Sequence, residues 1–368
     1  MANLMSNSAI RVVTGPENYF SSAGSLAQIS IFFTAEQLKN AFWLYGKRAL
    51  QATQPYLPEG VFDPKAKHVL FDGHCSEPEV NELALVAGND RSVIIGVGGG
   101  RVLDTAKALA RRLKRPFIAI PTIAATCAAW TPLSVWYDTE GHALGYEIFN
   151  DANHLVLVEP EIILRAPKEY LLAGIGDTLA KWYEAVVLSP EPEQLPLTVR
   201  LGLDAARTIR DVLIQQSDAA LKQHDMQLNG KDFNDVVDAI IAGGGLVGGL
   251  GERYTRIAAA HAVHNGLTVL PQTNRFLHGT KVAYGILVQA ALLGDNNTLE
   301  QLIKLFRQFN LPTSLRDLDI DIKNESDINK FIQHTLRPEE SIHLLAEPVT
   351  PEKLYTALQK IEKHVTKG

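Results

Sequence analysis

The chain has 368 residues, of which 46% are hydrophobic and 21% charged, and its 35 basic and 41 acidic side chains give a formal net charge of -6. This length predicts about two domains, and the composition is that of an ordinary globular protein. The acidic balance excludes the usual nucleic-acid-binding classes. Cys75 and Cys127 are too few for a disulfide framework, and no apolar run approaches the ~18 residues of a membrane helix. We therefore expect a cytoplasmic protein with no nucleic-acid partner and no membrane partner.

The first half of the chain alternates short apolar runs with amphipathic stretches. The apolar runs predict strands at residues 10–13, 42–45, 68–71, 92–96, 116–120 and 154–158, with helices at 78–87 and 104–113. Continuous apolar runs that alternate with helices are typical of a parallel sheet covered by helices. Ligands of such a sheet bind beyond the carboxyl ends of its strands.

From about Pro167 onward helical patterns dominate. They predict helices at residues 171–188, 196–215, 233–247, 253–265 and 278–293. The change of pattern predicts two domains, an α/β domain at residues 1–163 and a helical domain at 164–368. The glycines at 243–245, 248 and 249 follow no strand, so close helix packing is favoured over phosphate binding there.

Three glycines follow the apolar run at 92–96. The sequence Gly98-Gly99-Gly100-Arg101 lies between a predicted strand and a predicted helix. Backbone N–H groups at such a turn can approach a pyrophosphate at the positive end of the helix. Arg101 stands where the strict dinucleotide-binding fingerprint has its last glycine. The pattern therefore indicates either a nucleotide site or a tight strand-to-helix turn.

The segment from Pro121 to Tyr137 is rich in small and hydroxyl side chains and follows a predicted strand. A loop in this position should face a bound cofactor. The alternative is a surface loop with Thr and Ser caps, but its apolar and aromatic residues argue against full exposure to solvent.

Three of the 11 histidines, His261, His264 and His278, lie close together in the sequence. Two imidazoles and one carboxylate can hold a zinc-like ion and leave a fourth position open to substrate. Asp177 is the carboxylate candidate, with Lys181 four residues further on the same helix face. The alternatives are an aspartate at a helix start and core histidines that hydrogen-bond to backbone carbonyls.

These segments together resemble the glycerol dehydrogenase group of the iron-containing (group III) alcohol dehydrogenases, whose fold is related to that of dehydroquinate synthase. Within the group, the similarity is greatest to the bacterial hydroxycarboxylate dehydrogenases. The resemblance implies a dehydroquinate synthase-like fold: an α/β N-terminal domain with a nucleotide-binding parallel sheet, and an all-α C-terminal domain that binds metal. It extends over about residues 10–360 and is carried by residues 96–107, 121–126, 133–135, 174–181, 261–268 and 278–285.

The resemblance also implies a metal centre. Asp177, His261 and His278 match the metal ligands of the family, usually for zinc in this group. Lys181 occupies the place where the iron-dependent branch has another histidine, which favours an open three-ligand zinc site. His264 is then not a ligand, and it lines the substrate site, relays a proton or packs in the core.

The activity that the resemblance implies is hydride transfer between a carbinol carbon and NAD(H) or NADP(H). A divalent cation would polarise the substrate oxygen, while the protein orients the nicotinamide. The cofactor would contact the glycine turn, the helix after it and the following loop, at Gly98, Gly99, Gly100, Arg101, Asp104, Thr122, Ala125, Thr126, Thr131, Leu133 and Tyr137.

Two departures from the family pattern concern the substrate. Glycerol dehydrogenases carry an aspartate where this chain has Cys127, and Trp130 replaces a small residue. Loss of the carboxylate removes an acceptor for polyol hydroxyls and also removes repulsion toward an anion. We therefore expect Cys127, Trp130 and His264 to contact a small 2-hydroxy or 2-oxo carboxylate, with glycerol as the alternative substrate.

A third departure concerns the cofactor. Relatives place an acidic residue after the second strand, where it accepts the adenosine ribose hydroxyl, whereas this chain has Lys47 and Arg48. Two cations could pair with a 2′-phosphate. The sequence therefore predicts that NADP(H) is accepted, although both side chains could be solvated surface charges.

Other functions stay open at this point. The chain could be a lyase like dehydroquinate synthase, which uses bound nucleotide without net redox, or a metal-binding protein without enzymatic activity. The resemblance further suggests a homo-oligomer, often a dimer or an octamer.

Overall fold

The computed structural model describes residues 9–366, and these form eight strands in two sheets. Six strands make a parallel sheet with the order β1-β8-β5-β4-β2-β3, and β6 and β7 pair as an antiparallel hairpin. The strands are β1 Asn18–Ser21, β2 Phe42–Tyr45, β3 Lys67–Leu70, β4 Ile94–Gly98, β5 Phe117–Pro121, β6 Leu133–Tyr137, β7 Ala143–Ile148 and β8 Leu155–Val158.

The central strand β4 pairs with β2 on one side and with β5 on the other. Ile95 lies opposite Trp43 of β2 and opposite Ile118 of β5, and all three side chains are fully buried. Burial on both faces of the sheet explains why these strands are continuous apolar runs rather than alternating patterns.

The order of the strands reverses beside β4. From β2 the chain adds β3 at one edge of the sheet, and then β4, β5 and β8 follow on the opposite side of β2. Such a reversal opens a crevice between the carboxyl ends of the two strands at which it occurs, and open α/β sheets bind ligands there. In this sheet those ends are Tyr45 of β2 and Gly98 of β4.

Fifteen α-helices occur within residues 9–366, together with short 3₁₀ segments and one π-helix at Ala239–Gly243. The α-helices are α1 Ile29–Phe32, α2 Ala35–Lys39, α3 Lys47–Thr53, α4 Glu77–Ala87, α5 Gly100–Leu113, α6 Pro160–Leu164, α7 Lys168–Leu188, α8 Leu197–Asp225, α9 Lys231–Asp238, α10 Gly244–Gly251, α11 Ala259–Leu267, α12 His278–Leu292, α13 Asn296–Phe309, α14 Glu325–Thr335 and α15 Pro351–Thr366.

The chain forms two compact units. One unit contains both sheets and comprises Val13–Pro167 together with Gln223–Leu246. The other is helical and comprises residues 9–12, 168–222 and 247–366. Residues 223–246, which the sequence analysis placed in the helical domain, therefore pack with the sheets.

The fold class predicted from the sequence is confirmed, and five of the six predicted strands lie within two residues of an observed one. The predicted strand at 10–13 is wrong: these residues pair with no strand, and the first strand begins at Asn18. Gly15 and Pro16 separate the two segments. Gly15 packs against the indole of Trp130, and Pro16 has no N–H to donate to a sheet.

Two more local predictions differ from the structure. The segment expected to be a cofactor-facing loop ends in the β6–β7 hairpin, whose turn includes Gly141 at a φ of +88°. The alternating residues on either side of this glycine are typical of a hairpin and could have revealed it. The helix predicted at 253–265 starts only at Ala259, because Glu252–Tyr254 form a separate 3₁₀ segment and Ala258 has non-helical backbone angles, φ −139° and ψ −130°.

The helix predicted at 233–247 is divided into α9, the π-helix and α10. A Cβ on Gly245 would lie 2.3 Å from Cδ1 of Trp130, so this glycine permits close packing. The wider segment Lys231–Tyr254 is long and apolar enough to cross a membrane, but half of its most apolar window is buried within the protein. Core helices commonly meet the same criteria, so the segment is weak evidence for a membrane span.

Candidate active site

The glycine turn connects β4 to α5 at the point where the strand order reverses. Gly98 ends β4, Gly99 occupies the N-cap position, and α5 begins at Gly100. No side chain caps this helix. Its first backbone N–H groups therefore keep their hydrogen-bonding capacity for an anionic ligand. A Cβ atom on Gly99 would lie 2.7 Å from Cδ1 of Ile123, which is too close for an ordinary contact. A Cβ atom on Gly100 would lie 3.7 Å from its nearest neighbour, Cβ of Ala128, which is an ordinary van der Waals distance.

The loop after β5 folds over this turn. It begins with Thr122, whose N–H donates to the carbonyl of Gly98 at 3.2 Å. A small pocket lies between the loop and the turn, and four of the predicted cofactor residues line it, namely Gly99, Gly100, Ala125 and Thr126. The other lining residues are Leu103, Pro121, Ile123, Ala128 and Ala129.

Asp104 and Lys107 hold this loop and β6 against α5. The fully buried Lys107 ammonium donates to the Asp104 carboxylate at 3.2 Å, to the carbonyl of Ala128 at 2.8 Å and to the carbonyl of Leu133. The other carboxylate oxygen of Asp104 accepts the Val135 N–H at 3.2 Å. Both oxygens of Asp104 thus accept hydrogen bonds within the fold, and these bonds position the loop and β6 against α5.

The remaining predicted cofactor residues are spread around the pocket. Leu133 and Tyr137 are the two ends of β6, and the hydroxyl of Thr131 donates to the carbonyl of Cys127 at 3.4 Å. Arg101 is exposed in the first turn of α5. The structure brings the glycine turn and the start of the loop together, and it places β6 beside them through Asp104.

The two residues that differ from glycerol dehydrogenases lie in the same loop. Cys127 is half-buried. The indole N–H of Trp130 donates to the carbonyl of Thr14 at 2.7 Å, and its ring packs edge-on against Tyr19 at 5.1 Å. Gly15 and Gly245 also contact the ring. Trp130 is therefore held by packing, which restricts the face that it could offer to a substrate.

Lys47 and Arg48 begin α3, directly beyond the carboxyl end of β2. Both side chains are exposed. The backbone N–H of Gly46 donates to the carbonyl of Val97 at 3.3 Å, which places the start of α3 beside the glycine turn. These cations therefore lie at the same crevice as the turn.

The predicted metal ligands converge in the helical unit. Asp177 of α7, His261 of α11 and His278 of α12 offer ligand atoms that all lie within 4.8 Å of one another. The Asp177 Oδ1 atom is 3.1 Å from Nε2 of His278 and 3.5 Å from Nε2 of His261. The exposed fractions of the side chains are 6% for Asp177, 12% for His261 and 42% for His278, so the centre is open on the side of His278.

Glycines bring the three helices close enough for this convergence. A Cβ on Gly279 would lie 1.9 Å from the carbonyl oxygen of Ala173, which shows that α12 contacts the backbone of α7 directly beside Asp177. A Cβ on Gly285 would lie 2.2 Å from the carbonyl oxygen of Ala260, so α12 and α11 approach equally closely. Side chains at these positions would separate the ligands.

Sequence reasoning missed the role of Glu184. This residue is fully buried, and its Oε2 lies 2.6 Å from Nδ1 of His261 while Oε1 accepts the N–H groups of Ala258 and His261. A carboxylate on Nδ1 fixes the tautomer that leaves Nε2 free to bind a cation. Glu184 follows Asp177 by seven residues, about two helical turns, so both carboxylates lie on the same face of α7, but this spacing alone does not indicate a histidine partner.

The charges of the centre shift the pKa values of its members. Burial raises the pKa of Asp177, but the charge of His278 and hydrogen bonds from both histidines lower it well below its usual range. Burial lowers the pKa of His261, whereas Glu184 and Asp177 raise it to about 9. Near neutral pH a cation would therefore have to displace a proton from His261.

His264 lies beside the centre rather than in it. Its Nε2 is 3.0 Å from Nδ1 of His278, so it contacts a predicted ligand through the ring nitrogen that faces away from Asp177. Burial and the charges of His278 and Lys281 hold the pKa of His264 well below its usual range. Lys281 is 6% exposed, and its ammonium group has no hydrogen-bond or ion-pair partner within residues 9–366.

The chain is similar to dehydrogenases in both sequence and structure. The model of the iron-containing alcohol dehydrogenase family matches residues 16–160. Hydroxycarboxylate dehydrogenase A of Escherichia coli K12 is 65% identical over 358 residues, which cover 97% of this chain and 99% of that protein. Glycerol dehydrogenase of Thermotoga maritima is 35% identical over 301 residues, which cover 80% of this chain and 81% of that protein.

A solved structure supports the same relationship. The crystal structure of a probable glycerol dehydrogenase from Sinorhizobium meliloti 1021 superposes with a TM-score of 0.84 at 26% identity, over 97% of this chain and 99% of that chain. The predicted family is thereby confirmed. The chain belongs to the iron-containing alcohol dehydrogenase family and is a metal-dependent, nicotinamide-linked dehydrogenase.

Proposed function

We propose that this protein is a zinc-dependent hydroxycarboxylate dehydrogenase. It would interconvert a small 2-hydroxy acid and the corresponding 2-oxo acid. In the oxidative direction the carbinol carbon gives a hydride to the oxidised nicotinamide and the hydroxyl gives up a proton, so that the products are the 2-oxo acid, the reduced cofactor and H⁺. The convergence of Asp177, His261 and His278 carries this proposal.

The donor set of the centre fits a single zinc ion. Two imidazoles and one carboxylate leave room for a further ligand, and Glu184 orients His261 as a carboxylate orients the histidines of zinc sites. Lys181, at the place of the fourth ligand of the iron-dependent branch, supports zinc over iron. A divalent cation held there acts as a Lewis acid on the substrate oxygen. Asp177 and the two histidines hold and orient that cation.

The substrate class follows from charge. The lysines Lys181 and Lys281 balance Asp177 and Glu184, so a divalent cation gives this part of the protein a net positive charge. Such a site attracts the carboxylate of a hydroxy or oxo acid. The neutral thiol of Cys127, in place of the aspartate of glycerol dehydrogenases, supports the same choice, as does the 65% identity to a protein named hydroxycarboxylate dehydrogenase A.

We assign the cofactor to the crevice at the carboxyl ends of β2 and β4. The glycine turn would hold the pyrophosphate by backbone N–H groups, and the loop residues Ala125 and Thr126 would lie against the dinucleotide. Lys47 and Arg48 would pair with a 2′-phosphate, so we propose that NADP(H) is accepted. NAD(H) stays the alternative if the two cations are only solvated.

The wider organisation belongs to the same proposal. We assign nucleotide binding to residues 1–163 and metal binding to the helical part that begins at residue 164. We also propose a cytoplasmic homo-oligomer with a small-molecule substrate and without nucleic-acid or membrane partners.

One preparation can test the proposal. Metal content is determined by elemental analysis, and turnover is followed by the near-ultraviolet absorbance of reduced nicotinamide. The panel contains 2-oxo acids, 2-hydroxy acids and glycerol, each with both cofactors. We expect stoichiometric zinc and highest turnover with 2-oxo acids. High turnover of glycerol and none of any 2-oxo acid would instead identify a glycerol dehydrogenase. No turnover across the panel at full metal occupancy would favour a lyase or a non-enzymatic protein.

A further inference from the structure

Four side chains form a continuous hydrogen-bonded chain that ends at a proposed metal ligand. Nδ1 of His278 lies 3.0 Å from Nε2 of His264, and Nδ1 of His264 lies 3.0 Å from Oδ1 of Asn265. The amide nitrogen of Asn265 then donates to Oε2 of Glu340 at 2.9 Å. The proposed function uses none of the three outer residues.

The carboxylate at the end of the chain determines its direction. An ionised carboxylate can only accept hydrogen bonds, so the Asn265 amide must turn its N–H₂ group toward Glu340 and its oxygen toward His264. Nδ1 of a neutral His264 must then carry the proton, and its Nε2 must accept. Nδ1 of His278 consequently carries a proton and donates, which leaves Nε2, the nitrogen beside Asp177, as the atom that can bind the metal ion.

The two proposed histidine ligands are thus supported differently. A buried carboxylate contacts His261 directly, through Glu184. His278, the more exposed ligand, is oriented across two intervening side chains. Histidines that bind metals almost always donate their other ring N–H to an oriented acceptor, and such outer partners affect metal affinity.

We propose that Glu340 is a positioning residue, which acts through Asn265 and His264 to present the Nε2 lone pair of His278 to the metal ion. The inference rests on the proposed metal site. It assigns His264 to the support of a ligand rather than to contact with the substrate. It also gives a role to Glu340, which lies 62 positions after His278 in the sequence.

The test removes the carboxylate that fixes the direction of the chain and leaves an amide of nearly the same size in its place. In Glu340→Gln the amide at position 340 can accept from Asn265 or donate to its oxygen, so the direction of the chain is no longer fixed. In the reversed direction Asn265 donates to Nδ1 of His264, and Nε2 of His264 donates to Nδ1 of His278. The proton of His278 would then sit on Nε2, where it blocks the metal. We expect the Zn²⁺ dissociation constant of the metal-free protein, measured by competition with a chelator, to rise about ten-fold.

Two further variants separate this effect from general damage. Glu161 accepts a hydrogen bond from the Asn229 amide at 3.0 Å, so Glu161→Gln makes the same chemical change at a matched pair in the sheet-containing unit. We expect it to leave Zn²⁺ affinity unchanged. The double variant N265D/E340Q restores the original direction, because the amide introduced at position 340 is then the donor and the carboxylate at position 265 accepts from both neighbours. Its affinity should return to within about two-fold of wild type, about 0.4 kcal/mol.

The outcomes are distinguishable. Wild-type affinity in E340Q, or a double variant that binds no more tightly than E340Q, overturns the role of Glu340 and leaves the metal site intact. A wild-type protein that binds no Zn²⁺ overturns the proposed metal site itself. The unfolding temperature of each metal-free variant is measured alongside. If E340Q does not fold, the double variant N265D/E340Q is the test of the role of Glu340. Its Zn²⁺ affinity must then equal that of the wild-type protein.

Discussion

The glycine turn and the proposed metal centre offer different chemical groups to the ligands that we assign to them. The turn uses backbone N–H groups and the absence of side chains, and its residues are contiguous from Gly98 to Arg101. The metal centre uses side chains from three helices, and Asp177 and His278 are 101 positions apart. Steric changes should therefore damage the turn most, whereas changes of charge or of hydrogen-bond direction should damage the centre most.

The largest expected effect comes from removing a ligand charge. In Asp177→Asn the side chain keeps its shape but loses the charge on which a divalent cation depends. We expect Zn²⁺ affinity to fall by more than about 100-fold, because changes to the outer partners of ligands alone cost about 10–100-fold. Turnover should be lost in parallel. Elemental analysis and the nicotinamide assay on the same preparation measure both.

Asp204→Asn is the matched control for this variant. Asp204 forms an exposed ion pair with Arg207 on α8. Metal content and turnover should stay at wild-type values, because exposed pairs contribute little to stability. Full zinc occupancy in D177N would remove Asp177 from the ligand set.

The second effect concerns the direction of the hydrogen bond at His261. Oε1 of Glu184 already accepts two backbone N–H groups, so Glu184→Gln must turn its amide nitrogen toward Nδ1 of His261. The imidazole then accepts at Nδ1 and carries its proton on Nε2, where it blocks the cation. We expect Zn²⁺ affinity to fall by about 10–100-fold, to be measured by chelator competition. An unchanged affinity would show that the tautomer of His261 does not control metal binding.

The same contrast explains what the sequence could predict. The turn, the strands around it and the three residues that converge in the helical unit could all be singled out from the sequence, because glycines, apolar runs and the residue types that commonly bind metals leave local patterns. Glu184, Glu340 and the engagement of Asp104 were not assigned, because each depends on which atoms meet after folding. A carboxylate that orients a histidine has no motif of its own, and 75 positions separate Asn265 from Glu340.

The third prediction tests whether a side chain at the glycine turn weakens binding of the cofactor. A Cβ atom on Gly100 would lie 3.7 Å from the nearest atom of the protein, so it would cause no clash. The Gly100→Ala variant should therefore fold normally and keep its unfolding temperature or raise it slightly. A bound pyrophosphate needs that space at the helix start. We therefore expect the KM of the cofactor to rise about ten-fold, ~1.4 kcal/mol, while Zn²⁺ affinity does not change.

Gly248→Ala is the control for this variant, since a Cβ there would have 3.9 Å of clearance on α10. It should leave both the KM of the cofactor and the unfolding temperature near wild type. If G100A also binds cofactor normally, the glycines serve only the strand-to-helix turn.

The fourth prediction separates the two cofactors. The double variant K47A/R48A removes both cations at the end of β2. We expect kcat/KM for NADPH to fall about ten-fold, because charge-assisted hydrogen bonds to the 2′-phosphate are lost. The kcat/KM for NADH should stay within about two-fold of the wild-type value. Lys65→Ala is a suitable control, because Lys65 is exposed and precedes β3, which pairs in parallel with β2, so it lies near the amino ends of the strands rather than the carboxyl ends. Equal losses with both cofactors would contradict a 2′-phosphate contact.

The smallest expected effect uses the two thiols to probe the loop over the turn. Burial raises the pKa of Cys75 to about 12 and the side chain is inaccessible, so only half-buried Cys127 should react with a thiol reagent at pH ~8. A saturating reduced nicotinamide cofactor should slow that reaction a few-fold, since Cys127 follows the loop residues that line the pocket. The rate is followed with chromogenic reagent, and Cys127→Ser should abolish it. A rate that the saturating cofactor leaves unchanged would contradict the cofactor contact that we propose for this loop.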